Sequence, residues 1–143
     1  MTTRSIPVLL ACVVATIAVA LPRAFAKPRP VDCGTLSIGP SAFRPASKRG
    51  AGCLLRAYRQ HCRPASYVLD RFGVDTVATS RFRVVVRGRR CEIAVASSFR
   101  VVPQQPHPTG HGYCATLRAR GTDVVAADCT GIDLPRTISL TGR

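Results

Sequence analysis

The chain has 143 residues, with 21 Lys and Arg against seven Asp and Glu for a formal net charge of +14, and seven Cys. That length leaves room for one domain with a modest core once a targeting segment is set aside. The absence of Asn removes every N-glycosylation site, and the single glutamate, Glu92, leaves few carboxylates for acid–base chemistry.

Residues 1–26 read as a secretory signal peptide. MTTRS carries one Arg and no acid, Ile6 to Leu21 is apolar apart from Thr16, and Ala24 and Ala26 give the small-x-small pattern that predicts cleavage after Ala26. An uncleaved anchor and lipid attachment at Cys12 are the rival readings. The apolar run falls short of the ~20 residues a spanning helix needs. It also continues for nine residues past Cys12, where a lipoprotein is already polar. The remaining 117 residues carry a net charge of +12, and 17 of their 19 basic residues are Arg. Abundant Arg, Ala, Val, Gly and Pro with little Lys suggests a GC-rich bacterial genome. Six cysteines remain: Cys33, Cys53, Cys62, Cys91, Cys114 and Cys129. An even number in a small exported domain implies a disulfide framework, and no C-x-x-C spacing supports a zinc knuckle or thioredoxin-like motif.

Residues 27–50 hold a short strand, CGTLSI, followed by loop chemistry in GPSAFRPASKRG. CLLRAYRQHC, from Cys53 to Cys62, has a continuous apolar arc and a charged arc of Arg56, Arg59 and Gln60, which predicts an amphipathic helix stopped by Pro64. Its two cysteines are about 13 Å apart along the axis, beyond the ~7 Å reach of a disulfide, so each fastens the helix to a different element. Everything after Pro64 reads as strand: SYVLDRF running through Gly73 into VDTVATSRFRVVV, then CEIAVASSFRVV, YCATLRA and DVVAADC, with PQQPHPTGHG as a loop.

Two hairpins have a testable register. With Gly88-Arg89 as a two-residue loop, Phe82, Val84, Val86, Cys91, Ile93 and Val95 share one face, while Arg81, Arg83, Arg87, Arg90 and Glu92 share the other. With Gly121-Thr122 as the second loop, Cys114 falls opposite Cys129 within bridging distance. Cys62 leaves the helix on the core side and Cys91 lies on the core face of the sheet, so these two pair, leaving Cys33 with Cys53. Residues 51–143 are thus expected to form a single α+β domain with a short C-terminal tail: one helix packed on a four-stranded antiparallel sheet, secured by three disulfides.

The run Ala51-x-Cys53-x3-Ala57-Tyr58-x3-Cys62-x-Pro64-Ala65, with Gly73-Val74-Asp75-Thr76, Phe82 and Cys91, resembles a group of exported bacterial proteins of unassigned function. The resemblance covers about residues 51–130 and implies secretion and a helix-then-strands fold, with no activity. The layout is also similar to cystatin-like folds, although the inhibitory Q-x-V-x-G loop is absent because the turn reads RGRR.

Catalytic and metal-binding patterns are sparse. His107 and His111 stand four apart in a Pro/Gly-rich stretch with no neighbouring carboxylate, and His61 falls on the apolar face of the helix, as a core histidine does. Asp75-Thr76 reads as a turn cap. Neither G-x-S-x-G nor H-E-x-x-H occurs. The strongest positive signal is basic: Arg81, Arg83, Arg87, Arg89 and Arg90 cluster at one hairpin and Arg118 and Arg120 at the next. The expectation is a secreted, non-enzymatic binding module with an anionic polymer or envelope surface as partner, and with no metal, cofactor or transmembrane helix after signal cleavage. The alternative is a small secreted basic hydrolase of ribonuclease type, using Glu92, His107 or His111, and Arg83 or Arg90.

Overall fold

The computed structural model describes residues 29–40 and 49–142; the signal peptide expected at 1–26 lies outside them. In chain order the elements are β1 (Val31–Ile38), α1 (Arg49–Arg59), β2 (Ala65–Phe72), β3 (Thr76–Arg87), β4 (Arg90–Val101), β5 (His107–Arg120), β6 (Asp123–Ile132) and β7 (Thr137–Ser139). The strands form one sheet in sequence order, in which β1 pairs with β2 in parallel and every other neighbouring pair is antiparallel. A helix on a four-stranded antiparallel sheet, the cystatin-like layout, is therefore not what forms. Four local features account for the difference.

First, the run through Gly73 is two strands. The chain turns at 73–75, and β2 and β3 pair from Phe72↔Val77 to Ala65↔Val84. This brings Tyr67 onto Phe82, ring centroids 6.1 Å apart. Second, the CGTLSI segment is an edge strand of the same sheet. A parallel neighbour needs a long crossover, and residues 39–64 with α1 supply it. Third, HPTGHG is the start of β5 rather than loop, pairing with β4 from Phe99↔His107 onward across a bulge at Ser97/Ser98. Fourth, β7 adds a seventh strand against β6.

The helix is displaced as well. It begins at Arg49 and stops at Arg59, short of Cys62. A residue before proline is pushed out of the helical region, so the chain must leave the helix ahead of Arg63-Pro64. His61 and Cys62 turn it back in left-handed conformations, with φ of 53° and 57°, and the Arg63 N–H donates to the Ala57 carbonyl at 3.0 Å. His61 is consequently exposed past the helix end, not a core residue.

The sheet curls into a half-barrel around α1. Six strand spacings of about 4.8 Å would put β1 and β7 some ~29 Å apart on a flat sheet. Instead the Tyr67 hydroxyl of β2 donates to the carbonyl of Leu140, just past β7, at 2.8 Å, and Arg71 of β2 donates to the Ser139 carbonyl at 3.3 Å. Inside the curl lie Leu36, Leu54, Leu69, Phe82, Ile93 and Leu140, all essentially inaccessible to solvent. The helix approaches closely because residue 50 is Gly: a Cβ there would come within 2.6 Å of the Tyr67 ring. Three disulfides fasten the parts. Cys33–Cys53 ties β1 to the helix, Cys62–Cys91 ties the chain beyond the helix to β4, and Cys114–Cys129 bridges β5 and β6. Such crosslinks belong to an oxidising compartment. No helix among the described residues is long and apolar enough to cross a membrane.

Candidate anion-binding face

Because α1 covers the inner face, the outer face of the sheet is defined by strand alternation. Val84 and Ile93 point in and face each other, so Arg81, Arg83 and Arg87 of β3 and Arg90, Glu92, Ala94 and Ala96 of β4 point out. Gly88, with φ of 61°, makes the two-residue turn between the strands, and the register is Val86↔Cys91, Val84↔Ile93 and Phe82↔Val95. Val86 has inward parity but is 62% exposed, since it sits next to the turn beyond the cover of the helix.

The next strand completes the face. Ala94 stands opposite Tyr113 and Ala96 opposite His111. The result is a recess of about 530 Å³ spanning β2 to β5, with a groove along β4 as its part between β3 and β5. Ala94 and Ala96 of β4 keep its floor low, while Ser66 and Val68 of β2 lie on the far side of the arginines. Arg81 and Arg83 form one wall, and His111 and Tyr113 the other. Two strand spacings separate the walls, about 9.5 Å between backbones. Arg81 and Arg83 are exposed and make no ion pair among the described residues. Arg87 closes the end near the turn: its guanidinium lies 4.3 Å from the centroid of the Tyr113 ring and 3.4 Å from a Glu92 carboxylate oxygen. That is the one ion pair among the described residues.

The remaining arginines ring one end of the sheet. Arg87 and Arg90 face each other directly, a like-charge pairing that works against the hairpin. Arg89 is exposed between them. Arg118 and Arg120 lie at the β5–β6 turn at the same end, because β5 runs antiparallel to β4 with Cys114 opposite Ile93. Asp123 is the cross-strand neighbour of Arg120, but its carboxylate is occupied otherwise. Burial pushes its pKa up, while the Thr141 hydroxyl and the backbone N–H groups of Val124 and Thr141 donate to it and hold it below the usual carboxylate range.

The residues weighed for ribonuclease chemistry do not form one constellation. Glu92 is engaged by Arg87, and His111 lies opposite Ala96, four residues or about 13 Å further along β4. His107 stands opposite Phe99 and packs edge-on against it at 5.7 Å. No group of three residues able to hold a metal occurs among the described residues. Tyr113 is the functional candidate that the sequence reading passes over. Its signal was present, since an inward Cys114 forces its neighbour outward.

No protein-family model, curated protein or solved structure matches the chain.

Proposed function

We propose that the chain is a secreted, non-enzymatic binding module that associates with anionic envelope polymers through the outer face of its sheet. The observation that carries this is the placement of Arg81, Arg83, Arg87 and Arg90 on one exposed face with Glu92 as their only ion-pair partner among the described residues. Unpartnered guanidinium groups at regular strand spacing attract a polyanion and release its counterions on contact, so binding falls steeply as salt rises. Arg also pairs with phosphate and sulfate groups in a bidentate fork that Lys does not offer. The three disulfides and the apolar segment ahead of Lys27 support a location outside the cytoplasm, and the helix motif supports kinship with exported bacterial proteins of similar layout.

The test is elution from a polyphosphate column in a salt gradient. The Arg81→Ala/Arg83→Ala double variant is expected to elute at clearly lower salt than the wild type. Arg56→Ala/Arg136→Ala, which removes the same charge from the helix and from the β6–β7 connection, is expected to elute close to it. Equal shifts for both variants would reduce the association to net charge and refute a dedicated face.

A further inference from the structure

The groove along β4 has two chemically different walls, and a simple polyanion uses only one of them. On the β3 side stand Arg81 and Arg83. On the β5 side stand His111 and Tyr113, with Tyr113 38% exposed and its ring braced by Arg87. An aromatic ring displayed on a strand flank, over a floor of alanines, adds nothing to the capture of a charged chain that lacks rings. It does suit a ligand that alternates charge with flat, polarisable groups. From this geometry we infer that the groove takes single-stranded nucleic acid, its phosphates along the arginine wall and its bases on the aromatic wall. The inference rests on the polyanion-binding reading above and names the ligand class for that site.

The dimensions agree. Side chains two apart on a strand repeat every ~6.7 Å. The Arg81–Arg83 and His111–Tyr113 pairs therefore both present this repeat, in register across β4. It is about twice the 3.4 Å rise per nucleotide of a duplex strand, as in a strand stretched with its bases splayed apart. A groove about 9.5 Å between wall backbones accepts one such strand and is too narrow for a duplex. Nonspecific single-strand binders combine the same two elements, a cationic track for the backbone and aromatic faces for the bases. The arginine stacked on Tyr113 adds a second flat surface on which a base can lie.

The experiment is fluorescence anisotropy with a short labelled oligothymidylate, in parallel with polyphosphate of equal charge as competitor. Wild type, Tyr113→Ala, Tyr113→Phe and Arg81→Ala/Arg83→Ala are compared at the same low salt. The groove predicts that the oligonucleotide binds about tenfold more tightly than polyphosphate. Tyr113→Ala should abolish that preference with polyphosphate binding unchanged. Tyr113→Phe should keep the preference, and the arginine pair should weaken both ligands. Equal affinity for the two ligands, unaffected by Tyr113→Ala, would overturn the nucleic-acid assignment and leave the polyanion reading intact. Failure of wild type to bind either ligand would overturn both.

Discussion

Tyr67 shows how much one side chain holds in this molecule. Its ring stacks on Phe82 inside the curl, and its hydroxyl reaches across to the Leu140 carbonyl at 2.8 Å. Burial pushes the hydroxyl pKa far above the usual phenol range, with Arg71 drawing it down and Asp123 raising it by smaller amounts. Tyr67→Phe leaves the carbonyl unpaired and is expected to cost about 1–3 kcal/mol at neutral pH. The pH dependence has a definite sign. A raised folded-state pKa means that the native state holds its proton longer than the unfolded chain. This contribution is complete below about pH 10, where free tyrosine titrates, and is lost as pH rises beyond it. Urea midpoints of wild type and variant should therefore differ most near neutrality and converge above about pH 10; parallel curves would show that the hydroxyl is not the group responsible. Tyr113 makes the opposite point at the same scale. It packs nothing in the core, so its value lies in what it presents to solvent.

Among the elements, α1 depends most on its fastenings. It has 11 residues, no acidic residue in its first turn and two left-handed residues beyond its end. An isolated helix of that length is marginal in water. The Cys62–Cys91 bridge keeps its exit against β4. Replacing both cysteines with serine is expected to lower the unfolding free energy by about 2–4 kcal/mol and to weaken the helical signal in far-UV circular dichroism. Unchanged stability with the helical signal intact would show that packing of Leu54 and Leu55 and the Cys33–Cys53 bridge hold the helix without it. The strands differ in how far the sequence reveals them. The β3–β4 and β5–β6 registers were legible because a glycine marks each turn, and in β3–β4 strict alternation also fixes the faces on both sides of it. Alternation fails where a residue adopts an unexpected conformation. Cys114 and Cys129 form an inward pair, but the next inward pair is Leu117 and Ala126, three residues on, where Asp128 takes φ of 55°. No local pattern announces that slip. The turn at 73–75 was hidden for a similar reason, since apolar residues continue on both sides of Gly73. The parallel pairing of β1 with β2 depends on a crossover of some two dozen residues, and short-range patterns carry no information about it.

For the whole molecule, curling separates two tasks. The inner face, the helix and the crosslinks provide stability. The outer face is left free of packing duties, and there the sequence places small residues on β4 between arginines on β3 and aromatic residues on β5. The basic character was plain from composition; its concentration into a groove was not, because that follows from the positions of three neighbouring strands at once. Amide chemical-shift mapping during a polyphosphate titration tests this division most directly. The account predicts that the shifts concentrate on Arg81 and Arg83 and on their cross-strand neighbours Ala94 and Ala96. Shifts scattered over all exposed arginines, with Arg56 and Arg136 responding as strongly as Arg81 and Arg83, would contradict it.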